Sequence, residues 1–219
     1  MARIVIFGAG DIARMAQVYF DRDSPHRVAA FTVDAAYRTA DTCGGVPLVD
    51  TESVVERYPP DEYGMFVALS YSRMNHLRAE KYAQMKGAGY ALVSYVSSRC
   101  TYLSDHQPGD NCFILEDNTI QPFVSIGNNV TLWSGNHIGH DVSIGDHCFI
   151  SSHVVISGHV NVGPYCFIGV NATLRNSIQI APETLIGAGA LIMKNTRAKS
   201  VYLAPRAERF PKNSDEVEI

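Results

Sequence analysis

Several features that define common protein classes are missing from this 219-residue sequence. No apolar stretch approaches the ~20 residues of a membrane span, and the N-terminal segment Met-Ala-Arg-Ile-Val enters a predicted strand directly, unlike a signal peptide. The five cysteines include no CxxC pair, which argues against a zinc ribbon and a disulfide framework. A net charge of −4 disfavours binding to a nucleic-acid backbone. We therefore expect a cytoplasmic protein whose partners include no nucleic acid and no membrane.

The most regular feature present is a run in which every sixth residue, from Ile114 to Ile192, is Ile, Leu or Val. The second position of the hexad is often Gly, as in Ile138-Gly139, and we expect this glycine to permit the bend where the chain changes direction. The fifth position is mostly small or β-branched. Multiples of six spread around the axis of an α-helix, so each hexad is expected to form one short strand and one corner. Three hexads make an 18-residue coil of triangular section. The run therefore predicts a solenoid of between four and five coils.

The first ~100 residues alternate between strand and helix patterns, which implies a small parallel sheet of Rossmann type. The predicted strands are Arg3 to Phe7, Val28 to Val33, Met65 to Ser70 and Ala91 to Val96, and the clearest predicted helix runs from Arg73 to Lys86. We place a junction within the polar segment 97–111 and expect two domains, residues 1–100 and 101–219. The end of the chain, residues 196–219, is expected to cap the last coil.

A glycine-rich turn follows the first predicted strand. The motif Gly8-Ala9-Gly10-Asp11-Ile12-Ala13 fits G-x-G-x-x-G/A, and Asp34 ends the next strand. Bare amides at a helix N-terminus favour a pyrophosphate and a carboxylate can take ribose hydroxyls. The domain has room for one mononucleotide half, so a nucleotide-diphosphate sugar fits better than NAD. Asn75 and Arg78, at the carboxyl edge of the sheet, are further candidate contacts to this substrate. Alternatively, the glycines only make a tight turn.

Histidines cluster within the hexad run, where five of the eight fall between His137 and His159. His140 and Asp141 occupy the third and fourth positions of their hexad, so their side chains are predicted to point outward near a corner. Acyl transfer from a thioester needs a base, a carboxylate that holds the imidazole, and an N–H for the oxyanion. His140, Asp141 and the Gly158 N–H are the candidates. His159 follows Asp141 by 18 residues and should lie one coil away, above the carboxylate. Taken singly, an outward histidine is more often a surface or interface residue.

Over nearly its full length the chain resembles the hexapeptide-repeat sugar acyltransferases typified by bacillosamine N-acetyltransferase and sialic acid O-acetyltransferase. The motif Ile138-Gly139-His140-Asp141 matches the segment that carries the catalytic base in that family. The resemblance implies a left-handed β-helix and a homotrimer with acetyl-CoA, and no metal, in the groove between neighbouring helices. It also implies that the N-terminal domain holds the nucleotide sugar. We expect N-acetylation of a nucleotide-linked amino sugar, a 4-amino-4,6-dideoxy sugar for a surface glycan.

Candidate CoA contacts lie in two small-residue turns that are 18 residues apart and should stack on one face. The predicted contacts are Gly169, Asn171, Ala172, Gly187, Ala188, Ala190 and Lys194. Three positions depart from the family pattern. Asp11 stands where the family often has His, Val33 where it often has an acidic residue, and Phe149 where a second His helps to hold the acetyl group.

Three other functions remain open at this stage. O-acetylation of a sialic-acid-like sugar uses the same machinery. A zinc hydratase like the γ-class carbonic anhydrases shares the helix, but those enzymes place two histidine ligands five residues apart, and no histidines here have that spacing. A trimeric scaffold that binds a nucleotide sugar without turnover is the third.

Overall fold

The computed structural model describes residues 2–217 and begins with a five-stranded sheet flanked by helices. The strands are β1 (Ala2–Phe7), β2 (His26–Val33), β3 (Thr42–Cys43), β4 (Val46–Asp50) and β5 (Tyr63–Val67). The helices are α1 (Asp11–Asp23), α2 (Thr51–Arg57) and α3 (His76–Gly87), with a 3-10 turn at Ala35–Tyr37. The sheet order is β3-β4-β2-β1-β5, and only the β3–β4 pair is antiparallel. Parallel strands alternate with helices, as predicted.

The two faces of this sheet are covered by different elements. Helix α1 buries Ala13, Ala16 and Phe20 on one face, together with residues of the first coils, and α2 and α3 cover the other. The sequence patterns for β1, β2, β5 and α3 are confirmed with shifted ends, whereas β3, β4 and α2 were not predicted. No helix within residues 2–217 is long and apolar enough to cross a membrane.

From Tyr95 onward, two-residue strands stack into three parallel sheets of seven, six and four strands. The strands are β6 (Tyr95–Val96), β7 (Thr101–Tyr102), β8 (Phe113–Ile114), β9 (Thr119–Ile120), β10 (Ser125–Ile126), β11 (Thr131–Leu132), β12 (His137–Ile138), β13 (Ser143–Ile144), β14 (Phe149–Ile150), β15 (Val155–Ile156), β16 (Asn161–Val162), β17 (Phe167–Ile168), β18 (Thr173–Leu174), β19 (Gln179–Ile180), β20 (Leu185–Ile186), β21 (Leu191–Ile192) and β22 (Val201–Tyr202). Residues 18 apart pair in register, as His137 does with Val155. The hexad solenoid is confirmed as a parallel β-helix.

The β-helix is longer than the unbroken hexad run. Its first strand, Tyr95–Val96, pairs with β8, although the sequence placed Ala91 to Val96 in the N-terminal sheet. Residues 91–93 still touch that sheet through one isolated bridge between Leu92 and Met65, in which Met65 N–H donates to the Ala91 oxygen and Val93 N–H donates to the Met65 oxygen. At the other end, Val201–Tyr202 pairs with β20, and Ala204 still packs on the core. Residues 205–217 are exposed beyond this strand and include a 3-10 turn at Ser214–Glu216.

The hexad glycines have a different role from the one expected of them. They were predicted to relieve the bend, but the left-handed backbone falls on the fourth position, as at Asp141 with φ of 58°. The glycines instead allow close stacking, since a Cβ on Gly139 would lie 2.6 Å from the Gly158 nitrogen of the next coil. A side chain at Gly139 would therefore push neighbouring coils apart.

We predict that Ile156→Ala lowers the free energy of unfolding by about 2–5 kcal/mol, because Ile156 is wholly buried in the β-helix and truncation leaves a cavity. The matched control is Val155→Ala on the same strand, which points outward and should change stability by less than about 1 kcal/mol. Urea denaturation of both variants measures the difference. Equal losses would contradict the assignment of inward and outward positions.

Candidate functional site

The corner between β12 and β13 brings the predicted catalytic residues together. His140 Nδ1 lies 2.9 Å from Asp141 Oδ2, and both side chains are about half exposed. The backbone N–H of His140 donates to Gln121 Oε1 on the preceding coil, which fixes the turn. Because a carboxylate only accepts, this contact assigns the ring hydrogen to Nδ1 and leaves the Nε2 lone pair available. The pair has the arrangement of a general base and its orienting acid.

Gly158 lies one coil above, directly over the imidazole. A Cβ built on Gly158 would be 2.7 Å from His140 Nε2, so the accepting side of the ring faces this glycine. His159 follows it, and its Nδ1 lies 4.0 Å from Asp141 Oδ2, as the 18-residue spacing predicted. The rings of His140 and His159 meet edge to face with their centroids 4.8 Å apart. One carboxylate therefore stands between two imidazoles.

A shallow cleft of about 650 Å³ continues along the same corner above the histidines. It is lined by Arg175, Asn176, Ser177, Ile178, Met193, Lys194 and Asn195. Asn176 and Lys194 follow Gly158 at intervals of 18 residues, so Lys194 shares the corner of His140. Arg175 was missed by the sequence analysis, although its position one coil above Ser157 could have identified it. The cleft thus contains two cations, Arg175 and Lys194, at coils above His140.

The remaining predicted CoA contacts occupy a different corner, which precedes the sheet that carries His140. The turns 169–172 and 187–190 do stack, since a Cβ on Gly169 would lie 2.6 Å from the Ala188 nitrogen. Asn171 and Ala188 are exposed there. Ala172 and Ala190 were predicted to contact CoA, but their side chains lie in the apolar core and cannot line a groove. Within one chain these turns are separated from His140 by a full face of the coil.

The glycine-rich turn opens onto a second cleft, of about 580 Å³, at the carboxyl ends of β1 and β2. Of the predicted substrate contacts, Gly8, Gly10 and Asp34 line it together, and Val33 lies beside them. Gly8 has φ of 117°, and a Cβ there would lie 2.8 Å from the Ala68 carbonyl oxygen, so the turn requires glycine. Asp11 was also predicted to contact the substrate, but its side chain is 92% exposed and does not line this cleft.

Lys81 in the second cleft was not identified from the sequence. Its Nζ lies 2.7 Å from Asp34 Oδ2, and its side chain is largely buried. Lys81 follows Leu77 by one helical turn on α3, and both residues line the cleft. The spacing alone could have pointed to it once Leu77 was placed on this face. The cleft thus places a glycine-rich turn and one cation beside a carboxylate.

Asn75 and Arg78 were also predicted to contact the substrate, but their side chains bind the β-helix instead. Asn75 is wholly buried and donates to the carbonyl oxygens of Tyr165 and Cys166 in the β-helix. Arg78 is 1% exposed and donates to the carbonyl oxygens of three coil residues and to Thr131 Oγ1, at 3.0 to 3.2 Å. Burial lowers the pKa of Arg78 to about 10, which leaves it charged near neutral pH. These two side chains connect helix α3 and the turn before it to the β-helix, and because they are buried a nucleotide cannot contact them.

Aromatic rings fill the space beside this junction. Phe149, the departure from the family histidine, is buried, and its ring contacts Tyr71 and Phe167 with centroids 5.0 Å and 5.8 Å apart. The Trp133 ring lies 6.3 Å from Phe149 and packs against the core of the N-terminal sheet. Phe149 therefore contributes packing where a histidine would contribute a hydrogen bond.

Comparison with known proteins supports this description. Residues 124–158 match the family model of the bacterial transferase hexapeptide (six repeats). The structure is similar to perosamine N-acetyltransferase from Caulobacter crescentus in complex with CoA and GDP-perosamine, with 22% identity, TM-score 0.82, and coverage of 93% of this chain and 94% of that one. No curated protein matches the chain by sequence.

Two further structures share the same fold. The acetyltransferase domain of PglB from Neisseria gonorrhoeae is 18% identical, with TM-score 0.77 and coverage of 93% of this chain and 97% of that one. WeeI from Acinetobacter baumannii is 18% identical, with TM-score 0.78 and coverage of 91% and 96%. The predicted resemblance to hexapeptide-repeat sugar acetyltransferases is confirmed.

We predict that Arg78→Lys lowers the free energy of unfolding by about 3 kcal/mol, since a lysine cannot serve these buried acceptors together and leaves some of them unpaired. Arg14→Lys is the control, because Arg14 is 66% exposed on α1 and should change stability by less than about 0.5 kcal/mol. Guanidinium denaturation measures both. An Arg78→Lys variant as stable as the parent chain would contradict a joining role.

Proposed function

We propose that this chain is an acetyl-CoA-dependent N-acetyltransferase acting on a nucleotide-linked amino sugar. The observation that carries the proposal is the His140–Asp141 pair beneath Gly158 at an exposed corner of a hexapeptide-repeat β-helix. The match to the transferase hexapeptide model supports the reaction class. The proposal includes a left-handed coil, a Rossmann-like domain over residues 1–100, a transfer domain over 101–219, and a place in the cytoplasm.

The proposed chemistry assigns one role to each group. His140 Nε2 accepts a proton from the acceptor amine as its nitrogen attacks the thioester carbonyl carbon of acetyl-CoA. Asp141 accepts the Nδ1–H bond and keeps the imidazole in the tautomer that can act as a base. The Gly158 N–H donates to the oxyanion. The C–S bond then breaks, and the proton is passed to the departing thiolate, which gives an amide and free CoA.

The co-substrate is proposed to lie along the corner cleft. Arg175 and Lys194 supply positive charge for the phosphates of CoA, and the cleft begins at Asn176, one coil above Gly158 at the same corner. The similar PglB domain has been described in complex with acetyl coenzyme A, which supports this choice of co-substrate.

A homotrimer would reconcile the two groups of predicted CoA contacts. The turns 169–172 and 187–190 lie at one corner of the coil, and His140 lies at the next. A threefold axis parallel to the coil would bring one corner of a chain against the other corner of its neighbour. The exposed side chains of Val170, Leu191 and Met193 give this surface apolar area to bury. The groove between neighbours would then have walls from both chains.

The acceptor is proposed to bind through its nucleotide in the cleft at Gly8 and Gly10. The amides of the turn face a pyrophosphate at the start of α1, Asp34 can accept from ribose hydroxyls, and Lys81 adds a cation beside them. The GDP-perosamine complex of the similar Caulobacter enzyme supports an amino sugar carried on a nucleotide. A 4-amino-4,6-dideoxy sugar of a surface glycan is the proposed acceptor, with O-acetylation of a sialic-acid-like sugar as the alternative.

We predict that His140→Ala reduces turnover by about 10²–10⁴-fold, because the reaction loses its base. The assay screens a panel of UDP-, dTDP- and GDP-linked amino sugars with acetyl-CoA and follows free CoA and acetylated sugar. His106→Ala is the matched control, since His106 is exposed between β7 and β8 and belongs neither to the histidine corner nor to the turns 169–172 and 187–190. Near-parental turnover by His140→Ala would reject His140 as the base, and nucleotide-sugar binding without thiol release by the parent would indicate a scaffold.

We predict that Lys81→Met raises KM for the nucleotide sugar about tenfold and leaves KM for acetyl-CoA unchanged. The substitution removes the cation and leaves Asp34 without its partner beside the pyrophosphate, so both effects weaken binding of an anion. Lys86→Met is the control, because Lys86 lies on the same helix, pairs with Asp110 and does not line the cleft. A rise in KM for acetyl-CoA instead would place the co-substrate in this cleft.

A further inference from the structure

Three potential metal ligands lie close together on the Nδ1 side of the His140 ring. The ligand atoms of His140, Asp141 and His159 all lie within 4.8 Å of one another. Two of these separations are 2.9 Å, from His140 Nδ1 to Asp141 Oδ2, and 4.0 Å, from His159 Nδ1 to the same oxygen. Around a tetrahedral Zn²⁺ with bonds of about 2.0 to 2.1 Å, neighbouring ligand atoms stand about 3.3 Å apart. One of the two observed separations is shorter than the distance between ligand atoms around a bound Zn²⁺, and the other is longer. Small movements of the side chains would therefore bring the atoms to the required distance.

The side chains are free to make the small adjustment that remains. The exposed fractions are 52% for His140, 42% for Asp141 and 58% for His159, so rotation about their torsions meets little packing. The two imidazole planes are 88° apart, which lets their nitrogens approach a common point from different directions. Two imidazoles and one carboxylate form a donor set suited to Zn²⁺, Co²⁺ or Ni²⁺, with an open fourth position for water.

We propose that His140, Asp141 and His159 form a binding site for a divalent transition-metal ion, and that the bound ion switches off the base. The metal site stands on geometry alone, whereas its inhibitory effect rests on the function proposed above. No such role is required for acetyl transfer, in which His159 has no assigned step.

The two sides of the His140 ring explain how the ion would inhibit. Nε2 faces Gly158, where the acceptor amine must be deprotonated, and Nδ1 faces Asp141 and His159. An ion at Nδ1 uses the Nδ1 lone pair, so the single hydrogen of the neutral ring moves to Nε2. Nε2 then carries a hydrogen and can no longer accept one. No proton is lost from a neutral imidazole in this step, while a protonated imidazole must release one before it binds.

The test begins with binding and does not depend on turnover. Zn²⁺ is titrated calorimetrically into the purified full-length chain, and Co²⁺ is followed through its visible absorption. We expect one ion per chain, with affinity at least about tenfold weaker in His159→Asn because one ligand is lost. His106→Asn is the matched control, since His106 is exposed and lies at neither of the two corners, and it should bind as the parent does. Absence of binding, or binding that His159→Asn leaves unchanged, would overturn the site.

The second measurement concerns inhibition at fixed free Zn²⁺. Acetylated sugar is measured instead of thiol, because the thiol of released CoA itself binds zinc. Turnover of the parent should fall through kcat and recover with EDTA, and His159→Asn should need at least about tenfold more Zn²⁺ for the same fractional loss. Turnover that persists while the site is occupied would reject the switch. Zinc binding as expected in a chain that acetylates no sugar would reject the proposed function and support the metal site.

Discussion

The stacking of residues 18 positions apart is the constraint on which the rest of the molecule depends. Parallel backbone hydrogen bonds join each coil to the next, as from the Phe149 N–H to the Cys166 carbonyl oxygen at 2.9 Å. Every residue of a hexad consequently repeats the surroundings of its equivalent one coil away. This register places Gly158 over His140 and His159 over Asp141, and it also forbids a side chain at Gly139.

A second constraint fixes the N-terminal sheet against this stack. Arg78 carries a buried charge that has no carboxylate partner among residues 2–217, and carbonyl oxygens of successive coils replace the water it has lost. Asn75 donates to the Cys166 carbonyl oxygen, one coil beyond the carbonyls that Arg78 contacts. Arg73, Met74 and Asn75 form a turn in which all three residues have positive φ. Such a backbone is strained and persists only where its surroundings hold it. Its effect is to fix the cleft at Gly8 relative to the coil.

At the candidate site the two proposed roles, base and metal ligand, fall on the same exposed side chains, His140 and Asp141. One nitrogen of His140 must stay available toward Gly158, while the other faces a carboxylate shared with a second imidazole. In the proposals made above, that carboxylate would orient a base and also complete a set of metal ligands, and these two uses exclude each other through the position of one ring hydrogen. Deep burial would prevent such competition by restricting access. Exposure at a corner permits both proposed uses.

The sequence by itself determined the β-helix, its inward residues and the placement of His140, Asp141 and His159, because a period of six is a local pattern that translates directly into coil register. It also located the turn at Gly8. Tertiary structure alone decided the role of Arg78, the partner of Asp34, the burial of Ala172 and Ala190, and the transfer of Tyr95–Val96 to the coil. Each of these depends on contacts between segments far apart in the chain, which carry no periodic signal, so an arginine that joins two units has the same local pattern as one that binds phosphate.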